Sequence, residues 1–326
     1  MTTMQDNYKG SLTLDERQTI DVHQHIGESV RQTAKVLDLP YGKVRGYVEW
    51  ADSSLPDLIP PPLEGPRILI FDIENTAAEG KFFGKPFKTR ILKVTRDWFL
   101  LCAAYKWLGQ DEIGWFGLPD DPQWQGGDTN DSYVAKRLWK LLDQADIVIA
   151  HNGENFDTKK CNTRFSVLRM GPPSPYQQVD TLKEDRRYFN RTSHSLKDVA
   201  TALGLTDKIS NSGYDLWEQC EAGDVDGWLE MKDYNIQDVG TLEELYLEQL
   251  AWIGAPGKKS HPNLGHWSSS EEPVCPNCGS DRLQRRGMYR TAFSEWPTYQ
   301  CKNCGSYHRD RKRDEQRTDA DKVHLV

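Results

Sequence analysis

The feature that most constrains the fold is a pair of short apolar runs that lead into acidic residues. Residues 68–71 run directly into Asp72 and Glu74, and residues 147–150 are followed closely by Asp157. Apolar runs of about four residues, bounded by polar segments, predict buried strands. Because side chains alternate along a strand, Asp72 and Glu74 are expected on one face of the first strand.

The predicted positions of these carboxylates favour a bound cation. Two carboxylates on an apolar strand repel each other and lose hydration, which is costly unless a positive charge lies between them. Asp157 is delivered to the same sheet edge at a strand-to-helix transition. Asp238 lies four residues after Tyr234 on a predicted helix, so these two side chains share a face. Oxygen ligands of this kind suit Mg²⁺ or Mn²⁺.

The segment that contains these residues mixes strands and helices. Strands are predicted for residues 67–72, 98–107, 113–116 and 147–150, and helices for residues 133–142, 157–170, 195–203 and 225–250. Three strands followed by alternating strands and helices indicate an α/β fold, in which a mixed sheet is flanked by helices.

Three segments resemble the three motifs of the DEDD superfamily of exonucleases. They are FDIEN at 71–75, IAHNGENFD at 149–157 and YNIQD at 234–238. The Tyr-x-x-x-Asp form of the third motif is typical of the tyrosine subtype, since the histidine subtype has His at the position of Asp233. Over residues 67–252 the chain is similar to the proofreading exonuclease domain of family B DNA polymerases and to its stand-alone relatives. This resemblance implies an RNase H-like fold.

The resemblance also implies an activity and a set of site residues. Four carboxylates would ligate two divalent ions: Asp72, Glu74, Asp157 and Asp238. One ion would activate a water and the other would stabilise the leaving 3′ oxygen, which releases nucleoside monophosphates from a 3′ end. Tyr234 would orient the attacking water. The candidate substrate contacts are Asn75, Asn152, Phe156 and Asp180. Relatives commonly have Thr at the position of Asn75, so altered contacts with the substrate end are expected.

Each motif taken alone has a second interpretation. A strand end often carries carboxylates, a charged helix face easily yields Tyr-x-x-x-Asp, and Asp157 alone can be a helix N-cap. The hypothesis of an exonuclease depends on three motifs that occur in order, each in its expected structural context. An inactive member that kept the motifs is a further alternative.

Two matching Cys-x-x-Cys pairs near the C-terminus predict a second metal site. Cys275 and Cys278 form the first pair, and Cys301 and Cys304 form the second. Four thiolates give a closed tetrahedral site that suits structural Zn²⁺, and the spacing resembles a zinc ribbon. A redox dithiol and a rubredoxin-like iron site are the alternatives. His308 is a spare candidate ligand that is expected at the surface.

The segment between the two cysteine pairs is rich in basic and aromatic residues. It contains Arg282, Arg285, Arg286, Tyr289, Arg290, Phe293, Trp296 and Tyr299. Basic and aromatic residues on a small β module suit single-stranded nucleic acid. The alternative is that the aromatic side chains form the small core of the ribbon while the arginines are solvated. The other three cysteines, Cys102, Cys161 and Cys220, are expected to be buried as small apolar groups.

The N-terminal segment predicts a small helical module. Helices are predicted for Leu14–His25, for a segment that begins at an N-cap Ser29, and for Tyr41–Trp50. Helix, short turn and helix resemble the helix-turn-helix of DNA-binding proteins, in which Lys43 and Arg45 would lie near the start of the recognition helix. A helical hairpin that packs on the core or on a partner is the alternative.

Composition shifts divide the chain into modules. The predicted order is a helical domain at 1–52, a Pro-rich linker at 53–66, the exonuclease domain at 67–252, a connector at 253–270, a zinc ribbon at 271–308 and a charged, disordered tail at 309–326. The net charge is −8, but residues 256–326 carry 13 basic and 9 acidic side chains. The acidity therefore lies in the rest of the chain, where metal ions can face the phosphate.

These observations predict a nuclease that acts on DNA in preference to RNA, and on single strands. The expected setting is replication, repair or processing of DNA in the cytoplasm, with a separate DNA polymerase or replication protein as a partner. Such combinations of modules resemble bacteriophage or mobile-element proteins. An RNA 3′-end exoribonuclease on the same site and a non-enzymatic DNA-binding regulator are the alternatives. No run of residues is long and apolar enough to span a bilayer, and no secretory signal is recognised.

Overall fold

The structure is a computed structural model of the 326-residue chain. It describes residues 12, 16, 19–20, 23, 30–53, 65–84, 90–205, 212–253, 261–270 and 272–310. Most of the first predicted helix, Leu14–His25, lies outside the described residues, as do Ser29, most of the predicted linker at 53–66 and most of the predicted tail at 309–326.

A five-stranded mixed sheet forms the centre of the molecule. Its strands are β1 (Ile68–Asn75), β4 (Leu100–Trp107), β5 (Gly114–Gly117), β6 (Ile147–Ala150) and β7 (Gln177–Asp180). They are arranged in the order β5-β4-β1-β6-β7. Strand β1 pairs antiparallel with β4 and parallel with β6, so it lies in the middle of the sheet. Its apolar residues are buried on both faces, as expected for a central strand.

Helices cover both faces of this sheet. They are α3 (Ser132–Gln144), α4 (Asp157–Val167), α5 (Thr181–Tyr188), α6 (Leu196–Leu203), α7 (Asp215–Ala222) and α8 (Val225–Gln249). One face of β1 packs in a cluster with α3 and α4, and includes Leu69 and Phe71. The other face packs against α8, and includes Ile68 and Ile70. Because side chains alternate, Asp72 lies on the face that meets α8.

The remaining described elements lie outside the central sheet. They are the helices α1 (Val30–Val36) and α2 (Tyr41–Ser53), the hairpin of β2 (Glu79–Lys81) and β3 (Lys93–Arg96), and a C-terminal sheet of β8 (Leu283–Arg290), β9 (Glu295–Cys301) and β10 (Tyr307–Arg309). Val44 of α2 is fully buried against Ala34 of α1 and their neighbours. Among the described helices, none has the length and apolar character needed to cross a membrane.

The fold class predicted from the sequence is confirmed: the chain has an α/β fold in which the sheet is mixed and is flanked by helices. The predicted helix at 157–170 ends earlier, at Val167, because Arg169 and Gly171 both have positive φ angles and the chain turns there. The three cysteines outside the Cys-x-x-Cys pairs are fully buried, as predicted.

Candidate metal centre

Three carboxylates meet where β1 passes the middle of α8. Ligand oxygens of Asp72, Glu74 and Asp238 all lie within 4.8 Å of one another. Asp72 and Glu74 are half-buried near the end of β1, whereas Asp238 is 4% exposed on α8. Three negative charges this close repel one another, and a positive charge among them would relieve the repulsion. The donor set, all carboxylate oxygens, fits a hard divalent cation such as Mg²⁺ or Mn²⁺.

Asn235 fixes the orientation of one of these carboxylates. Its Nδ2 donates a 2.8 Å hydrogen bond to Oδ2 of Asp72 and also lies 3.4 Å from the backbone oxygen of Asp72. The side chain is fully buried on α8, one turn before Asp238. A residue three positions before Asp238 lies on the same helix face, so α8 supplies both a candidate ligand and the amide that positions another.

Asp157 lies next to the cluster and is not one of its three members. It is the first residue of α4, is 2% exposed, and its Oδ1 accepts a 3.3 Å hydrogen bond from the backbone N–H of Ile73. Ile73 lies between Asp72 and Glu74, so one backbone amide separates Asp157 from the cluster. Burial raises the pKa of Asp157 well above the ordinary carboxyl value, and Asp180 adds to the rise. A cation nearby would favour the ionised form of this carboxyl.

Tyr234 borders the cluster from the preceding turn of α8. Burial, together with the charges of Asp238, Glu74 and Asp72, raises the pKa of the Tyr234 phenol far above its usual value. The hydroxyl therefore stays protonated and acts as a donor, and it is hydrogen-bonded to Asp238. The ring packs edge-on against Trp217, with the ring centroids 6.3 Å apart. The structure thus holds a neutral hydroxyl beside the carboxylates.

Asp180 braces the loop that leads from β6 to α4. Its buried carboxylate accepts hydrogen bonds from the backbone N–H groups of four residues, which are Asn152, Glu154, Leu182 and Lys183. Two of these bonds cap α5, and the other two hold the β6–α4 loop. Asn152 has a φ of +65°, a left-handed conformation that Asn tolerates better than most residues. The buried position makes Asp180 a support for the loop, whose residues can face a substrate.

Aromatic and basic side chains lie at the N-terminus of α4, where Asp157 is placed. Phe156 is 40% exposed. Lys160 lies one turn further on, with its Nζ 3.7 Å from the ring centre of Trp98 and 5.5 Å from that of Phe156. The lysine is thereby held over two rings close to a candidate metal ligand, where it can meet a phosphate while the rings meet bases.

Asn75 ends β1 just beyond the cluster. Its Nδ2 donates a 2.7 Å hydrogen bond to the backbone oxygen of Thr76. Its Oδ1 is buried and has no hydrogen-bond partner among the described residues.

A second candidate metal site lies at the tip of the C-terminal sheet. The sulfur atoms of Cys275, Cys278, Cys301 and Cys304 lie within 4.8 Å of one another. The Cys275–Cys304 and Cys278–Cys301 sulfur pairs are 3.7 Å and 3.6 Å apart. A tetrahedron with Zn–S bonds of about 2.3 Å has sulfur–sulfur edges of about 3.8 Å, so this group fits Zn²⁺. The cluster and the three strands are consistent with a zinc ribbon.

His308 is not at the surface, where the sequence analysis placed it. The side chain is fully buried, with Nε2 2.7 Å from Oγ of Ser306 and 3.6 Å from Sγ of Cys275. The prediction failed because β10 pairs with β9 and turns this side chain towards the cysteine cluster. Burial lowers the pKa of His308 to about 4, which keeps the ring neutral.

The sequence analysis missed three residues around the carboxylates. Asn235 stands inside the YNIQD motif, but an amide on a helix carries no pattern that marks it as a donor to Asp72. Its only signal is its spacing of three residues from Asp238. Trp98 and Lys160 come from distant parts of the chain, and their contact depends on how α4 packs in the folded domain.

The comparisons with known proteins concern the central domain. Residues 123–249 match the profile of the RNase_H superfamily. This segment includes Asp157 and Asp238 and begins after Asp72 and Glu74. No curated protein matches the chain. Among solved structures, the family B DNA polymerase from the hyperthermophilic archaeon Pyrobaculum calidifontis is similar at 17% identity and a TM-score of 0.40, over 59% of this chain and 26% of that one. The central part of the chain is an RNase H-like domain with a carboxylate cluster beside its middle strand.

Proposed function

We propose that this protein is a metal-dependent exonuclease that hydrolyses phosphodiester bonds at the 3′ ends of single-stranded DNA. The observation that carries the proposal is the convergence of Asp72, Glu74 and Asp238 within 4.8 Å. Asp157 stands one backbone amide away. An RNase H-like domain that brings four carboxylates to one place is suited to holding divalent cations against a phosphate.

In this proposal the four carboxylates, Asp72, Glu74, Asp157 and Asp238, hold two Mg²⁺ or Mn²⁺ ions. The bound ions would supply a water of lowered pKa and stabilise the charge that develops on the leaving oxygen. Asn235 keeps Asp72 turned towards the site through its 2.8 Å hydrogen bond. Tyr234, which stays protonated, donates its one O–H to Asp238, and its oxygen can accept a hydrogen bond from the water placed for attack.

The side chains around the carboxylates would hold the end of the strand. Asn75, which ends β1 one residue after Glu74, is a candidate contact for the terminal nucleotide. Phe156 and Trp98 offer ring surfaces to unpaired bases, and Lys160, held over both rings, offers a charge to the backbone phosphate. The loop of Asn152, braced by Asp180, lines the same entrance. These contacts need a strand whose bases are unpaired, which favours a single strand over a duplex.

The proposal includes the division of the chain into modules. The helical segment at 1–52 and the zinc ribbon at 271–308 would serve a nuclease domain at 67–252. A role beside a separate DNA polymerase, in replication or repair, is part of the same hypothesis. It would account for a nuclease domain that is linked to two small modules of its own.

The test is digestion of 5′-labelled single-stranded DNA and RNA of one sequence in Mg²⁺ or Mn²⁺. We compare the wild type with Asp72→Asn and Glu74→Gln, which keep the shape of each side chain and remove its charge. Asp226→Asn, an exposed acidic residue on the same helix as Asp238, is the matched control. A ladder that shortens from the 3′ end, survives in the control and disappears in both other variants supports the proposal.

Other outcomes of this digestion separate the alternatives. Cleavage of RNA alone would show that the substrate is RNA and would leave the assignment of the site residues unchanged. Internal cuts would show that the protein is an endonuclease. No cleavage of either strand with either metal would remove the enzymatic proposal altogether.

A further inference from the structure

The C-terminal sheet carries a charge that differs from the rest of the molecule. Residues 282–309 contain six basic side chains, which are Arg282, Arg285, Arg286, Arg290, Lys302 and Arg309, and one acidic side chain, Glu295. This net charge of +5 lies on a chain whose net charge is −8. All residues of this segment are described, and the basic groups are concentrated on a sheet of three short strands.

One face of this sheet combines arginine with aromatic rings. The pairing of β8 with β9 puts Tyr289 opposite Trp296, with ring centroids 6.0 Å apart. The guanidinium of Arg309 lies 5.0 Å from the centre of each ring. Arg286 joins the same face by donating a 2.8 Å hydrogen bond to Gln300. Tyr307, which is 42% exposed, pairs with Gln300 in the sheet and extends the face.

We call these five residues, Arg286, Tyr289, Trp296, Tyr307 and Arg309, the ribbon face. On the opposite face Pro297 and His308 are buried, whereas Arg285 and Arg290 are exposed. Beyond the ribbon face, the turn between β8 and β9 presents Phe293, whose side chain is 95% exposed. A fully exposed phenyl ring at the tip of a basic hairpin has no core to stabilise in the described part of the chain.

We propose that the ribbon face and Phe293 bind single-stranded nucleic acid. Unpaired bases stack on aromatic rings and on guanidinium planes, and both surfaces are present here side by side. Arg286 and Arg309 would contact the phosphates between the stacked bases. An acidic protein segment would satisfy the arginines, but it gives no reason for the exposed rings. A duplex hides its base faces, so it could use the charges only.

The ribbon is fixed to the nuclease domain at a distance from the carboxylates. Asn277 donates hydrogen bonds from Nδ2 to the backbone oxygens of Leu250 and Ile253, just past the end of α8. Leu250 is 12 residues after Asp238, which is about 18 Å along a helix. At about 3.4 Å per nucleotide of a stacked strand, roughly five nucleotides span the distance from Asp238 to Leu250, where the ribbon is attached.

The separation of the two sites suggests how the protein holds a long strand, and this inference rests on the proposed function. The ribbon face would hold the body of the strand whose 3′ end lies among the carboxylates, and long strands would be retained better than short ones. A strand of three nucleotides cannot occupy both places. Its cleavage is therefore expected to be indifferent to the ribbon face.

The test measures binding of 5′-fluorescein-labelled dT20 to the full chain by fluorescence anisotropy. All proteins carry Asp72→Asn, so that the probe is not cut and binding does not depend on activity. To this background we add Phe293→Ser or the pair Arg286→Gln with Arg309→Gln. The control pair, Arg186→Gln with Lys197→Gln, removes two charges from exposed positions of α5 and α6. Zinc content, one equivalent per chain, verifies that each variant keeps its ribbon.

The proposal predicts different signatures for the two kinds of change. Phe293→Ser lowers the affinity on the order of tenfold without changing the salt dependence, since it removes a stacking contact. The arginine pair lowers the affinity and reduces the slope of log affinity against log salt by about 0.7 for each lost phosphate contact. The control pair changes neither by a comparable amount.

Unchanged affinity and unchanged salt slope in both ribbon variants would overturn the proposal. This outcome is distinct from failure of the proposed function, because it is measured without cleavage. In the cleavage-competent protein, the ribbon variants are expected to slow digestion of dT20 and to leave dT3 unaffected. Equal slowing of both substrates would contradict a separate binding face.

Discussion

Buried polar side chains hold the carboxylate cluster in place. Asn235 contributes by donating from a fully buried position to Asp72. A carboxylate that lacks such a donor can rotate away from its neighbours, and ligand orientation is what a metal site requires. The orientation of a candidate ligand is thus set by a residue that is not itself a ligand.

Replacing Asn235 by Ala is expected to weaken Mn²⁺ binding and slow cleavage by about 10–100-fold, the usual cost of losing an outer-shell hydrogen bond. The variant should remain folded, since Ala suits a helix interior. Titration with Mn²⁺, followed by rates at saturating metal, checks this. Asp233→Ala, an exposed change on the same helix, serves as the control. Wild-type metal affinity in Asn235→Ala would show that the amide does not position Asp72.

We expect Asp180 to contribute chiefly to the stability of the fold. Asp180→Ala removes an acceptor from four backbone N–H groups, including the cap of α5. Loss of a cap and of buried hydrogen bonds should lower the free energy of unfolding by about 3 kcal/mol, as measured by urea denaturation. Asp180→Asn keeps one acceptor oxygen and should lose less. Equal stability of Asp180→Ala and wild type would contradict the bracing role.

At the scale of elements, a buried ion pair ties three parts of the domain together. Arg164 of α4 contacts Asp131 at 2.6 Å, and Asp131 precedes α3 and accepts the N–H of Leu100 in β4. Burial raises the pKa of Asp131, while Arg164 lowers it. The pair therefore fixes α4, which carries Asp157, against the sheet.

Arg164→Met should lower the free energy of unfolding by about 3–5 kcal/mol at neutral pH, because it leaves Asp131 buried without its partner. The folded-state pKa of Asp131 then rises further. A carboxyl whose folded-state pKa is raised above its unfolded value destabilises the fold at high pH. This cost begins to fall as pH drops below the folded-state pKa and is gone below the unfolded-state pKa. The gap between variant and wild type should therefore narrow from pH 8 to pH 5. Urea denaturation at both values measures it, and a constant gap would contradict this assignment.

The elements that the sequence predicts best are those with a clear apolar pattern. Strands β1 and β6 and helix α8 follow directly from such patterns, and alternation along β1 indicates the shared face of Asp72 and Glu74. Strand β7 was not predicted because its four residues, QQVD, are mostly polar. They adopt the strand conformation through pairing with β6. The β2–β3 hairpin was not predicted because all but one of its strand residues are exposed. Its sequence therefore lacks the alternation of apolar and polar residues that indicates a strand.

The site was predictable as a set of ligands and less so as a geometry. Motif order indicated the four carboxylates, but only packing separates Asp157 from the three that meet. The burial of Asp180 and the contact of Lys160 with Trp98 depend on segments far apart in sequence. Contacts of this kind arise when helices are placed on a sheet, and no local pattern encodes them.

At the scale of the whole molecule, the C-terminal sheet depends on its cysteine cluster for a core. None of the eight residues of β8 is buried, so apolar burial contributes little to this sheet. A structural Zn²⁺ supplies folding free energy directly in such modules. The central domain has its own apolar core and does not need this ion.

Removal of zinc with a chelator should therefore unfold the ribbon and leave the central domain folded. In hydrogen exchange, amides of β8 and β9 should lose protection while those of β1 and β6 keep it. Cys278→Ser should reproduce the effect without a chelator, whereas Cys220→Ser, at a buried cysteine outside the cluster, should not. Protected ribbon amides in the metal-depleted protein would contradict the assignment of this site.

The central claim is that cations held by Asp72, Glu74, Asp157 and Asp238 contact the phosphate that is cut. The most direct measurement compares strands with oxygen or sulfur at a nonbridging position of the 3′-terminal phosphodiester. Sulfur is a poor ligand for Mg²⁺ and a better one for Mn²⁺. If the cations contact this phosphate, sulfur should slow cleavage strongly in Mg²⁺, and Mn²⁺ should restore the rate. Equal rates for both strands in both metals would contradict it.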